Sequence, residues 1–217
     1  MSLTFPRSYP FAVLGLSSLV FTPSRVQVTS RARGGLVQGA ETGRTLWSVQ
    51  GQTPELNEDE FEEMQAFFDS LRGVLNTFML YDPARIRPRA YPGSGWAGVT
   101  RAMGGAFDGT AFLSLASAYS LSLTGLPLGY RIMAGDMLSW AWGSSRTLHR
   151  AVETVTASGG GVTVQVEPDI PPGSAVGATV KLEAADAVFK LTGELPQPRR
   201  RTVGGEPISF SAIQVLR

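Results

Sequence analysis

The chain has 217 residues and a mass of 23.2 kDa, is 43% hydrophobic, and balances 19 basic against 18 acidic residues for a net charge of +1. That apolar content is enough to bury a core and excludes global disorder, while the near-zero charge gives no electrostatic reason to expect nucleic acid or a membrane surface as partner. Cysteine is absent and His149 is the single histidine, which excludes disulfide scaffolds, thiolate nucleophiles and cysteine-ligated zinc and leaves one residue for any histidine base.

With 25 glycines and 14 prolines against 17% charged residues, the balance favours strands and turns over long helices. An apolar run over 8–24 follows Arg7 and superficially resembles a signal peptide. Pro6 and Pro10 flank its start, Gly15, Ser17 and Ser18 break it, and no A-x-A cleavage site follows, so none is expected. Segments 25–29 and 35–38 read as the arms of a hairpin, and 45–49 alternates like a strand. One helix stands out, at about 58–72. Asn57 is a good N-cap, and Glu60 three residues on completes a capping-box pattern. Asp59, Glu60, Glu62 and Glu63 place negative charge where the helix dipole favours it. Phe61, Met64, Phe67, Phe68, Leu71 and Leu75 recur at spacings of three and four as one apolar stripe, and Arg72-Gly73 supplies a stop.

A strand over 76–81 follows, then a Pro-, Arg- and Gly-rich stretch over 82–98 that reads as a linker or extended loop. The uncharged run 109–130 could be mistaken for a membrane span. It carries Ser114, Ser117, Ser120, Ser122 and Thr124 and is interrupted by Gly125 and Pro127, and its alternation of Phe112 and Ser114 against Leu113 and Leu115 fits strands. A second strand series continues through 131–133, 137–142, 147–156, 162–166, 178–183 and 187–191, with a turn at 134–136 and a hairpin turn at Gly159-Gly160-Gly161. The chain closes on an alternating strand over 208–215. The fold class expected is mainly β, as barrel or sandwich modules, with the one amphipathic helix.

No motif assembles an active site. Gly93-Ser94-Gly95-Trp96-Ala97-Gly98 matches G-x-G-x-x-G literally, but Pro88 and Pro92 precede it, no helical pattern follows, and Asp108 comes too early for the acidic partner of a dinucleotide fold. His149 and Glu153 have the spacing of metal ligands on a helix. On the strand that Val152 and Val155 favour, they stand roughly 13 Å apart. The acidic run from Glu58 to Glu63 reads as a solvated helix face, and no G-x-S-x-G elbow occurs among the serines. Arg199-Arg200-Arg201 could contact phosphate or an acidic surface, yet no interleaved aromatics support nucleic-acid binding. Trp47, Trp96, Trp140 and Trp142 are core or interface residues, with an exposed sugar-binding platform as the alternative for Trp140 and Trp142 on one strand face. The expectation is therefore no catalytic, cofactor-binding or metal-binding residue, and no cofactor.

The arrangement of these pieces resembles the distal tail (hub) family of long-tailed bacteriophages. The resemblance rests on the opening Met1-Ser2-Leu3-Thr4-Phe5-Pro6-Arg7 before a short strand and hairpin, and on the strand Gly43-Arg44-Thr45-Leu46-Trp47 ahead of the helix. It rests also on Phe68-Asp69-Ser70-Leu71-Arg72-Gly73 leading into Thr77-Phe78-Met79-Leu80 and Asp82-Pro83, and on the later run from Ala134-Gly135-Asp136 through Leu148-His149-Arg150 to Val166-Glu167-Pro168. It implies a structural protein that forms a homohexameric ring, with the tail tube protein and the tail-tip hub or host-binding proteins as partners, and neither membrane nor specific nucleic-acid binding. It places the protein in the virion tail tip after assembly in the host cytoplasm, with which the absence of cysteine agrees. The expected division is a ring-forming module of 1–82 plus about 191–217, with 83–190 as an inserted second β-barrel module. The rival expectations are a carbohydrate-binding β module and a hydrolase using Asp108 and Asp136.

Overall fold

The computed structural model describes residues 3–10, 15–31, 33–93, 95–193 and 205–216. In chain order the elements are β1 (Arg7–Ser8), β2 (Ser18–Arg31), β3 (Val37–Gln52), α1 (Glu58–Leu71), β4 (Phe78–Tyr81), a 3-10 turn (Pro83–Arg85), β5 (Thr110–Ala116), β6 (Ser120–Thr124), β7 (Arg131–Ile132) and β8 (Met137–Trp142). There follow β9 (Ser145–Ala151), β10 (Val155–Thr156), β11 (Val162–Glu167), β12 (Thr179–Lys181), β13 (Asp186–Leu191) and β14 (Ser209–Gln214). The fold is mainly β with a single helix among the described residues. Its strands form a six-stranded sheet in the order β1-β4-β13-β14-β3-β2, a closed barrel β11-β6-β5-β12-β8-β9, and a two-stranded pair β10-β7.

The helix begins as its sequence dictates. Asn57 Oδ1 accepts from Glu60 N–H at 2.9 Å, and Glu60 Oε2 accepts from Asn57 N–H at 3.0 Å, closing the capping box. Its buried stripe of Phe61, Met64, Phe67, Phe68 and Leu71 lies on the sheet. There Phe67 meets Phe78 edge-on at 6.1 Å and Phe68 meets Phe210 at 5.3 Å between ring centroids. The helix ends one turn before the sequence stripe does. Arg72 itself takes the left-handed conformation, at φ 50°, and Leu75 falls beyond the cap and is exposed.

The barrel buries the alternate residues Ala111, Leu113, Leu121, Leu123, Leu138, Trp140, Val164, Val166 and Val180. Leu115, expected on the face of Leu113, is exposed instead, because a register shift between the two in the β5–β6 pairing turns the strand over. The stretch read as a linker packs on this core: Tyr91 stacks on Tyr130 at 4.6 Å and Trp96 meets Phe107 edge-on at 4.8 Å. At the triple glycine the chain makes a tight turn, with Ser158 and Gly161 exchanging backbone hydrogen bonds at 2.9 and 3.1 Å; beyond that bridge β10 pairs with β7, while β11 pairs with β6 and β9.

β13 sits elsewhere than its sequence neighbours. Counted with the second strand series, it pairs with β4 on one side and β14 on the other, inside the six-stranded sheet. All but one of its residues are buried, so its alternation gives no cue to a partner. Asp186 at its start is a buried carboxylate, reached by Arg146 Nε at 2.8 Å, Lys181 Nζ at 3.0 Å and Ser139 Oγ at 3.3 Å, all three from barrel strands. Asp186→Ala leaves Arg146 charged and unpaired at a mostly buried position, so the expected loss is about 3 kcal/mol of folding stability. Urea unfolding midpoints at unchanged m-value measure it, and a variant within 0.5 kcal/mol of the parent would show the network to be unimportant.

Candidate assembly interface

The hairpin of β2 and β3 is far longer than the sequence segments 25–29 and 35–38, pairing from Ser18–Gln52 at its base to Arg31–Val37 near its tip. Its base belongs to the core through Phe21, Trp47 and Val49. Beyond that, every described residue over 24–44 is exposed on both faces of the ribbon. Eight residues of β2, Ser24 to Arg31, lie in this part and extend about 24 Å at the usual strand rise.

The two faces of this arm differ. Gln27 Nε2 and Arg25 Nη1 both reach Glu41 Oε1, at 3.0 and 3.2 Å, and Arg25 Nη2 reaches Glu167 Oε2 on the barrel at 3.1 Å. Arg44 Nε approaches Asp169 Oδ2 at 3.8 Å. These carboxylates, Glu41 foremost, raise the pKa of the Tyr119 hydroxyl on the barrel beside them. The polar face therefore turns toward the barrel. The other face holds Val26 and Val28, with Gly43 and Ala40 opposite them in the register, and then the uncharged pair Ser30 and Gln38. Val26 and Val28 are 52% and 58% exposed, and Leu36 and Val37 near the tip are exposed too. The outer edge of β2 is one edge of the sheet, so its backbone groups there have no strand partner among the described residues.

The structure separates the residues that sequence motifs had grouped. His149 is buried in the barrel wall, stacked on Trp140 at 4.7 Å, with Nδ1 2.8 Å from the Pro168 carbonyl oxygen, to which the Nδ1–H tautomer donates. Burial pushes its pKa down to about 4. Glu153 lies past the end of β9, where its carboxylate accepts from Gln165 N–H at 2.9 Å. Asp108 accepts from Thr110, through hydroxyl and backbone, and from Arg101 at 2.6 Å; the Thr110 hydroxyl foremost holds its carboxyl below the usual range. Asp136 is buried and accepts from the backbone N–H groups of Arg89 and Met133, so the two aspartates share no partner.

Within the glycine-rich stretch, Trp96 Nε1 donates to Glu183 Oε2 at 2.5 Å, while Ser94 lies outside the described residues. So does Arg199-Arg200-Arg201. Glu58, Asp59, Glu62 and Glu63 lie on the exposed face of α1. Trp140 is fully buried, and Trp142 is half-buried with its Nε1–H donated to the Pro172 carbonyl at 3.1 Å, so no two-ring platform forms. Trp47 is buried and donates to the Leu148 carbonyl at 2.7 Å. The arm's contacts with the barrel escaped sequence reading because Arg25 and Glu167 are 142 residues apart. No protein-family model matches the chain, and no curated protein matches it.

His149 yields a pH dependence. Its native-state pKa lies below the ordinary 6.5, so between pH 6.5 and 4 the unfolded chain takes up a proton that the folded chain refuses. Stability falls as the pH falls through that window, by about 3 kcal/mol in all. Urea titrations at pH 7 and pH 4 should show the parent losing that much more than His149→Gln; equal losses in the two would remove His149 as the cause.

Proposed function

We propose that this protein is a ring-forming structural component of a bacteriophage tail tip, of the distal tail (hub) kind, joining the tail tube to baseplate or host-binding tip proteins. It works by assembly and mechanics, without catalysis, in the virion tail tip after assembly in the host cytoplasm. The observation that carries this reading is the arm. A hairpin with solvent-facing valines on one side and, among the described residues, a strand edge without a partner is a liability in a protein that stays alone, since unpaired edges template association. A structural protein that covers the arm with a neighbouring subunit gives it a use.

The two edges of the sheet are different strands, β2 and β1. Contacts between unlike surfaces of successive subunits are heterologous, and such contacts close into rings when the rotation between copies allows. In this reading the helix-backed sheet forms the homohexameric ring and the inserted barrel projects from it toward the partners. The carbohydrate-binding alternative loses its main support, because Trp140 and Trp142 are held in packing and a hydrogen bond.

Light scattering of purified protein over a concentration series tests the proposal: a species of six times the 23.2 kDa protomer mass is expected. Val28→Asp replaces an exposed side chain, so it should leave protomer stability within about 0.5 kcal/mol of the parent and shift the ring toward protomers. A chain that stays at protomer mass at every concentration counts against the ring.

A further inference from the structure

A cleft of about 360 Å³ lies where the sheet meets the barrel, walled by Leu19, Phe21 and Met137 and carrying the charged residues Asp82, Arg85 and Arg150. The guanidinium of Arg150 rests on the Trp47 ring, 4.7 Å from its centroid. Arg85 Nη1 lies against Gly135, close enough that a Cβ there would meet it at 3.1 Å. Gly135 has a φ of +97°, so this turn needs glycine both for its backbone and for the arginine laid across it.

The charges in this cleft do not balance. Arg25, Arg44, Arg87, Arg101 and Arg146 each lie within 4.0 Å of a carboxylate oxygen. Among the described residues, neither Arg85 nor Arg150 does. The one acid in the cleft, Asp82, uses Oδ1 to accept from Ala84 N–H at 3.0 Å, capping the short 3-10 turn. Burial first, and then the neighbouring Arg85, lower the pKa of Arg150, with Asp82 opposing. Two guanidiniums of like charge thus share one cavity with a single carboxylate, and that carboxylate also serves as the cap of the 3-10 turn.

We propose that this cleft binds an oxyanion, a carboxylate or a phosphate group, between the guanidiniums of Arg85 and Arg150, with the ligand's carbon body against Leu19, Phe21 and Met137. The arginine fork matches both groups with paired N–H···O bonds, and an anion there relieves the repulsion between the two cations. The site stands whether or not the chain forms a ring, since every residue named belongs to one protomer.

Isothermal titration calorimetry with sodium phosphate and, separately, sodium succinate, against sodium chloride at equal ionic strength, tests this. Saturable binding of either probe by the parent protein is expected, weakened tenfold or more by Arg85→Gln and by Arg150→Gln, since each removes a charge-assisted contact. Arg85 is exposed and has no carboxylate partner among the described residues, so Arg85→Gln should melt with the parent in chloride; it carries the test if loss of Arg150 from Trp47 unsettles the fold. Phosphate binding without succinate binding assigns a phosphate ligand, and the reverse assigns a carboxylate. Heats no different from chloride, or equal affinity in the parent and Arg85→Gln, overturn the proposal.

Discussion

Asp186 is the point on which the two halves of the molecule are hung. The chain leaves the six-stranded sheet after β4, builds the barrel, and returns as β13 directly beside β4, with Asp186 opposite Tyr81 in the register. At that return the carboxylate is gripped by Ser139, Lys181 and Arg146 from three barrel strands. A buried carboxylate without such partners would cost several kcal/mol, so the re-entry of β13 and the placement of the barrel are one event. Gln214 Nε2 donating to the Arg146 carbonyl at 3.2 Å, and Trp47 Nε1 donating to that of Leu148, extend the same seam along β14 and β3. Apolar packing crosses it too, since Leu148 and Met137 of the barrel strands join the core of the sheet.

That seam also aims the arm. With Trp47 and Phe21 fixed at its base, the hairpin leaves the core beside the barrel, where Arg25 and Arg44 meet Glu167 and Asp169. Exposed ion pairs of this kind contribute little to stability. Their consequence is orientation: they draw the polar face of the ribbon to the barrel and leave the valine face outward. The oxyanion cleft opens on the same seam, where Arg150 rests on the Trp47 indole. Three features with different uses thus depend on one junction.

Local signals were legible wherever one turn of chain contains both partners. The capping box at Asn57 and Glu60, the five-residue buried stripe of α1, and the alternation of β14 all read directly from sequence, because caps and amphipathic periods are short-range. Legibility failed at Leu115, where a bulge inverts the alternation, and at β13, whose nearly continuous burial carries no sidedness. The arm was visible only as two short segments. Glycine, threonine and glutamine over 38–43 hide a strand whose pairing comes from the opposite ribbon and not from its own propensity.

What the sequence determined by itself was composition-level and local: a mainly β chain, one capped helix, and the approximate places of most of the strands beyond it. Tertiary structure alone decided which strands close a barrel and which form the sheet, which face of the arm meets water, and that Arg85 and Arg150 share a cleft. The physical reason is distance along the chain. Backbone preference and periodicity act over a few residues, whereas Arg25 with Glu167, Ser139 with Asp186 and Trp47 with Leu148 meet across 142, 47 and 101 residues. No local pattern encodes a partner that only the folded chain brings near.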